Sequence, residues 1–382
     1  LAKFRSRAWD HFLELGLPSR KTSEFQYLPL RKLYSKEIVL PGAATLPFEK
    51  VQAHIVKGAE RSVAVFINGQ FQALLSRFEA LPKKAVAVPL FEAFRMFGSF
   101  LHNQSARTLQ EETDPFVSLN GAFTSQSLFT YLPPNTICEK PIQILHFVTA
   151  DSALISPRIE FFLGALAETK VLATTVYLGG NGSFVNGALH FSLEEGARAH
   201  LERMVFGLPE TSWQFDAVRT FMKKDSYFNS LMATDGAETV RDDYRVVMVG
   251  PNAEALLNGC WMLDGTREAH THVKIDHQAP FCHSNQLFKG VLDGVSRSSF
   301  EGKIYIQKAA QKTEAYQLNQ NLVLSKGAQA YTKPNLEIFA ADVKASHGAT
   351  IGKLDDEQLF YLEARGLSKK KGKELLVRGF SD

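Results

Sequence analysis

Five side chains able to bind a borderline metal crowd together between positions 270 and 283: His270, His272, His277, Cys282 and His283. Residues two apart on a strand share a face, so His270 and His272 would point the same way. Cys282 would then approach from the next turn, a donor set suited to zinc. Polar alternation on a solvent-facing strand writes the same pattern, so the cluster has two readings. His347 is different, standing alone between Ser346 and Gly348. Its small neighbours leave it uncrowded, and Gly348 permits close approach by another backbone. A neutral imidazole is a good ligand for iron or zinc, and an ordinary pKa of about 6.5 leaves it available near neutral pH. The competing reading is a hydrogen-bonded surface histidine at a strand end. Adjacent acids, Asp242-Asp243 and Glu194-Glu195, would suit glycosidase or lyase chemistry. Neighbours on a strand point to opposite faces, so neither pair converges on one bond. Acids brought together from different coils are left open by the sequence.

Other chemistries are excluded more firmly. No G-x-x-x-x-G-K-[ST] loop occurs, and Gly179-Gly180-Asn181-Gly182 lacks the third glycine and following helix of a dinucleotide fingerprint. There is no G-x-S-x-G elbow. Cys138, Cys260 and Cys282 are too scattered to form the thiolate set of a resident iron–sulfur cluster. Odd in number and without a C-x-x-C pair, they imply a reducing compartment, and the cytoplasm is expected. A net charge of +3 spread over 382 residues is no nucleic-acid footprint. No apolar run approaches the roughly 18 to 20 residues that cross a bilayer, so no membrane is expected.

The elements that must position these groups fall into three expected regions: a mixed, largely helical one over 1–130, a β core over 131–352, and a helical segment over 353–382. Phe4, Ala8, Phe12 and Leu15 keep helical spacing, and Gly16 with Pro18 stops it. Asn68-Gly69 between Val63–Ile67 and Phe71–Leu75 predicts a two-residue hairpin, because both residues tolerate positive φ. Phe91, Phe94, Phe97 and Leu101 predict a helix over Leu90–Leu101 with an aromatic core face. Short alternating segments then recur: Ile142–Val148, Ile159–Leu163, Val171–Tyr177, Ala188–Leu193, Val246–Val249, Phe300–Ile306 and Gln320–Leu324. A turn followed by small residues repeats at Glu195-Gly196-Ala197, Pro251-Asn252-Ala253 and Lys326-Gly327-Ala328. Stacked coils explain this most directly, although a sandwich or a pair of barrels satisfies the pattern too. Asp355 is a good N-cap for a helix closed by Gly366, and Ser368 caps a second helix to Val377.

One set of fragments, in one order, goes further. Lys21-Thr22-Ser23-Glu24-Phe25-Gln26-Tyr27 comes first, then Ser284-Asn285-Gln286 with Lys289-Gly290, Phe300-Glu301-Gly302-Lys303-Ile304 and Asn319-Gln320-Asn321-Leu322. Thr332 to Ile338 follows, then Ser346-His347-Gly348-Ala349-Thr350 and Leu359-Phe360-Tyr361-Leu362. Each fragment is weak and their shared order is strong. The series resembles the SufB/SufD family of iron–sulfur cluster assembly proteins, and the histidine-glycine form of the motif points to the SufD side.

The resemblance implies a right-handed parallel β-helix core with α-helical N- and C-terminal regions. It implies no catalytic residue and a scaffold role. The β-helix would pair with a SufB-like paralogue and the C-terminal helices would dock a SufC-like ATPase. His347 would be a metal and cluster ligand at the interface, and no cofactor would stay bound to the isolated chain beyond a transient iron–sulfur cluster. Self-pairing of the isolated chain into a homodimer is also expected. Two departures matter: Ala345 stands where many SufD sequences carry cysteine, and the chain stops soon after Leu375-Leu376-Val377, where relatives continue with helix, so a shortened SufC-docking surface is expected. The rival function is a β-helix carbohydrate-active enzyme, a lyase or glycosidase.

Overall fold

A computed structural model describes residues 1–98, 101 and 107–381 of the chain. Two ten-stranded sheets face each other, and from Glu168 onward successive strands alternate between them. The first sheet starts at the hairpin Val63–Ile67 and Gln70–Phe71. It continues through Ile142–Val148, Glu168–Tyr177, Arg198–Val205, Tyr227–Thr234, Glu254–Leu263, His283–Leu292 and Glu314–Val323, and ends at Lys344–Gly352. The second runs from Val86–Pro89 and Leu128–Leu132 through Arg158–Leu163, Phe184–Leu193, Trp213–Met222, Thr239–Met248, Glu268–His277 and Arg297–Ile306 to Gln329–Ile338, with the short strand Leu154–Ile155 also pairing to Phe184–Leu193. Pairing is parallel except at the Asn-Gly hairpin and between Val86–Pro89 and Leu128–Leu132. The register Glu254↔His283↔Glu314↔Lys344 gives a coil of roughly thirty residues. The fold is therefore a β-solenoid of about eight turns, mainly β, with helices at both ends.

Period-two alternation builds each coil. Along Glu254–Leu263, Ala255, Leu257 and Trp261 turn inward and are buried, while Glu254, Leu256 and Asn258 are only partly covered. Inward residues from both sheets form one continuous core, from Ala64 and Phe66 to Phe288 and Phe300.

The corners repeat in conformation more than in sequence. Asn135, Leu166, Gly196, Asp225, Asn252, Phe281 and Lys312 all take φ between 57° and 68°. Each donates its N–H to a carbonyl of the next coil: Asn135 to Ala165, Leu166 to Glu195, Gly196 to Lys224, Asp225 to Pro251, Asn252 to Pro280, Phe281 to Gln311 and Lys312 to Asp342. Left-handed backbone costs about 1 to 2 kcal/mol in a residue with a Cβ, and here the column of inter-coil bonds offsets it.

The N-terminal region lies against both outer faces: Phe25 and Phe116 cluster with Phe184 and Phe215 of the second sheet, and Val51 with Leu145 and Phe147 of the first. Helix Ala2–Leu15 buries Phe4, Ala8 and Phe12, while Leu15 is exposed. It packs on helix Pro115–Phe123, where a Cβ on Gly121 would lie 3.0 Å from that of Ala8. The helix that starts at Leu90 ends at Met96, with Phe97 as its C-cap and Gly98 beyond it at φ 43°. Phe94 is buried but Phe91 is exposed, and residues 99 and 100 lie outside the described residues. The second hairpin arm is two residues long, not five: Gln72 bonds back to Val65 and a turn follows. At the other end, Asp355 caps helix Asp356–Ala364 by accepting from Glu357 N at 2.8 Å. The last helix runs over Lys369–Ser381, beyond Val377, with Phe380 lying against Lys289 of the solenoid.

Candidate functional site

His347 sits on Lys344–Gly352, the final strand of the first sheet. Its register partner is Gln317, whose inward side chain is buried, so the imidazole projects from the lumen face of the last coil. It is nevertheless exposed, because among the described residues no further coil covers this end. Beside it, Gly348 comes close to Leu318, where a Cβ would meet the Leu318 side chain at 3.1 Å. Ala345 faces the lumen with Leu336 and Val343. Lys344 pairs with Glu314 Oε1 at 2.7 Å, on the side of the strand away from the ring. The second sheet ends alongside at Gln329–Ile338, where Tyr331 stacks on Tyr27 of the N-terminal region with ring centroids 4.6 Å apart. Two strand edges thus lie open at one end of the solenoid, with a histidine across the mouth between them.

The other candidate cluster does not assemble. His270 and His272 share the outer face of Glu268–His277, as their spacing predicts, but each is already engaged. His270 bonds Ser299 Oγ at 2.7 Å and Glu268 Oε2 at 3.1 Å, and His272 bonds Asp243 Oδ1 at 2.6 Å. His277 faces the lumen and meets Ser284 Oγ at 3.0 Å; burial pushes its pKa down to about 3, with a smaller push from His283. Cys282 points to the Gly250 carbonyl, and burial raises its thiol to about 11. Strand alternation and a turn send the donors in three directions. Among the described residues no group of three or more His, Cys, Asp or Glu could hold a metal ion.

Two charge clusters lie where sequence reading did not look. Inside the lumen, Arg203 binds Asp216 at 2.6 Å and Asp242 at 2.5 Å, joining the sheets. Acids from different coils do converge here, but on an arginine in a closed interior, not in a groove open to a polysaccharide. On the outer face of the second sheet, Asp243 meets Arg219 at 2.5 Å, Arg241 at 3.1 Å and His272. The segment before helix Pro115–Phe123 completes this seam: Glu112 takes Arg219 Nε at 2.7 Å and Asp114 takes Arg241 at 2.6 Å. Asp114 also caps that helix through Phe116 N. Burial opposes ionisation of Asp243, but Arg219, Arg241 and His272 outweigh it and hold the carboxyl well below its ordinary range. Burial likewise resists the charge on Glu112, and Arg219 lowers it overall. Three carboxyls face two guanidiniums, and the imbalance falls on Asp114, which burial raises despite Arg241. The one signal in the sequence was the Asp242-Asp243 pair, which serves both faces of one strand at once.

Residues 146–380 match the family model described as SUF system FeS cluster assembly, SufBD core domain, and residues 1–144 match the SufBD protein N-terminal region. The chain belongs to the SufBD family of iron–sulfur cluster assembly proteins. It is 26% identical to the iron–sulfur cluster assembly protein SufD of Escherichia coli, over 97% of this chain and 85% of that protein. A SufBD family protein of Synechocystis is 28% identical over the whole chain and 86% of its own length. One from Mycobacterium leprae is 37% identical over 43% of this chain and 44% of its own. Among the described residues no helix is long and apolar enough to cross a membrane.

Proposed function

We propose that this chain is a non-catalytic scaffold subunit of cytoplasmic iron–sulfur cluster assembly, contributing His347 as a ligand to a cluster formed between two chains. The observation that carries the reading is the position of His347: exposed, across the mouth between two open strand edges, where a second solenoid would meet it. Among the described residues no group of three or more His, Cys, Asp or Glu could hold a metal, so a partner must supply the rest of the coordination sphere around this imidazole. A SufB-like paralogue joined edge to edge would do so. A second copy of this chain would bring only another histidine, which fits a homodimer of the isolated subunit that makes no cluster.

The C-terminal helices suit a different partner. Phe360, Tyr361 and Leu375 are exposed there, while Leu359 packs on Gly372 and holds the pair together. We assign this surface to a SufC-like ATPase, whose nucleotide-driven movement would open and close the mouth. The division into 1–130, 131–352 and 353–382 follows the same logic, with anchoring region, pairing core and docking helices in turn.

The test is His347→Ala in the intact three-component assembly. Cluster yield should drop severely while the variant still co-purifies with both partners. Unchanged yield would remove the ligand role.

A further inference from the structure

Beneath His347 the lumen carries two side-chain amides that nothing answers. Gln286 is fully buried and Gln317 is 3% exposed. Neither the nitrogen nor the oxygen of either amide has a hydrogen-bond partner among the described residues. Buried polar groups are nearly always satisfied, so two orphaned amides in consecutive coils need a reason. Their register supplies one: Gln286 pairs with Gln317, and Gln317 pairs with His347, all on the inward face. Adjacent strands are about 4.8 Å apart, so the Gln317 amide and the imidazole occupy neighbouring rungs.

Gly302, on the opposite sheet, fixes how far Gln317 reaches. A Cβ there would fall 2.4 Å from Gln317 Nε2 and 2.7 Å from Oε1. The amide therefore extends across the lumen onto bare backbone, and any side chain at 302 would push it aside. His347 has no hydrogen bond of its own among the described residues, and a ligating imidazole needs one ring nitrogen committed so that the other is free for metal.

We propose that Gln317 is a positioning residue for His347: its amide reaches the imidazole through one bridging water, and leaves the other ring nitrogen aimed out of the mouth. This rests on the reading of His347 as a ligand and deepens it. The amide suits the task because it can donate or accept without adding charge.

The test uses the full chain alone, labelled with ¹⁵N-histidine, with the His347 signals assigned by their loss in His347→Ala. Gln317→Leu removes the amide, and Gly302→Ala displaces it from the other side of the lumen. Each should change the His347 tautomer ratio by about two- to ten-fold, the factor set by one ordinary hydrogen bond. The double variant should add nothing beyond either single change, since both act on one group. An unchanged ratio in both variants would overturn the proposal, and so would a change in only one. If Gly302→Ala fails to fold, Gln317→Leu with its conservative counterpart Gln317→Asn decides: restoration of the wild-type ratio by Asn supports the proposal, and a ratio equal to that of Leu overturns it. No partner or cluster enters the measurement, so its outcome is separable from that of the cluster-yield test.

Discussion

The seam under the N-terminal region and the mouth at the far end of the solenoid treat buried polarity in opposite ways. At the seam, each of Glu112, Asp114 and Asp243 meets an arginine, and one carboxylate also caps a helix. Towards the mouth, the Gln286 and Gln317 amides have no partner among the described residues and His347 is exposed. Paired charges mark a part whose task is to hold, even though Arg241 Nε there has no partner among the described residues; uncharged amides left without partners mark a part whose task is to receive. The two regions should accordingly respond to perturbation in opposite directions.

The largest contrast comes from breaking the seam. Arg219→Met leaves Glu112 and Asp243 without their shared cation, and the expected loss is about 3 to 5 kcal/mol in urea unfolding. A loss below about 1 kcal/mol would mean that the seam does not hold the N-terminal region down.

Acid should separate the regions next. Glu112 and Asp243 lie below the ordinary carboxylate range, so their stabilisation is complete above about pH 4 and fades only as pH falls towards their folded values. His277, in the lumen, stays neutral down to about 3, whereas in the unfolded chain it protonates near the ordinary histidine value of 6.5. The unfolded state then binds more protons, and stability falls as pH drops through the unfolded value. Between pH 7 and 5, His277→Gln should lose about 2 kcal/mol less than the wild type. Parallel stability curves for the two proteins would contradict this.

Smaller effects sharpen the comparison at the mouth. Gln286→Leu removes an orphaned amide and should raise stability by about 1 kcal/mol, the reverse of any change at the seam. His347→Ala should leave the melting transition within about 0.5 kcal/mol of wild type, since the residue is exposed. A marked destabilisation by either variant would make the mouth part of the structural framework.

Much of the architecture was legible because period two and the turn signals are local. Ile142–Val148 lies where alternation placed it, and the motif at Gly196, Asn252 and Gly327 does precede new strands. The corner column was not legible, since Leu166, Phe281 and Lys312 share a backbone conformation and no side-chain chemistry. The seam was hidden by distance along the chain: Glu112 and Arg219 are 107 positions apart, and only the stacking of coils beneath the N-terminal region brings them together. The histidine cluster failed for the opposite reason. Proximity in sequence says nothing about direction when alternate residues leave opposite faces of a sheet. For His347 the family fragments supplied the position, and the coil register added the face.

The corner column has a consequence for how such chains change in length. Every corner passes its amide to a carbonyl one storey up, so an extra residue between two corners must bulge out elsewhere or break the staircase. Insertions should therefore gather on the opposite rim, and the staircase itself should grow or shrink only by complete storeys.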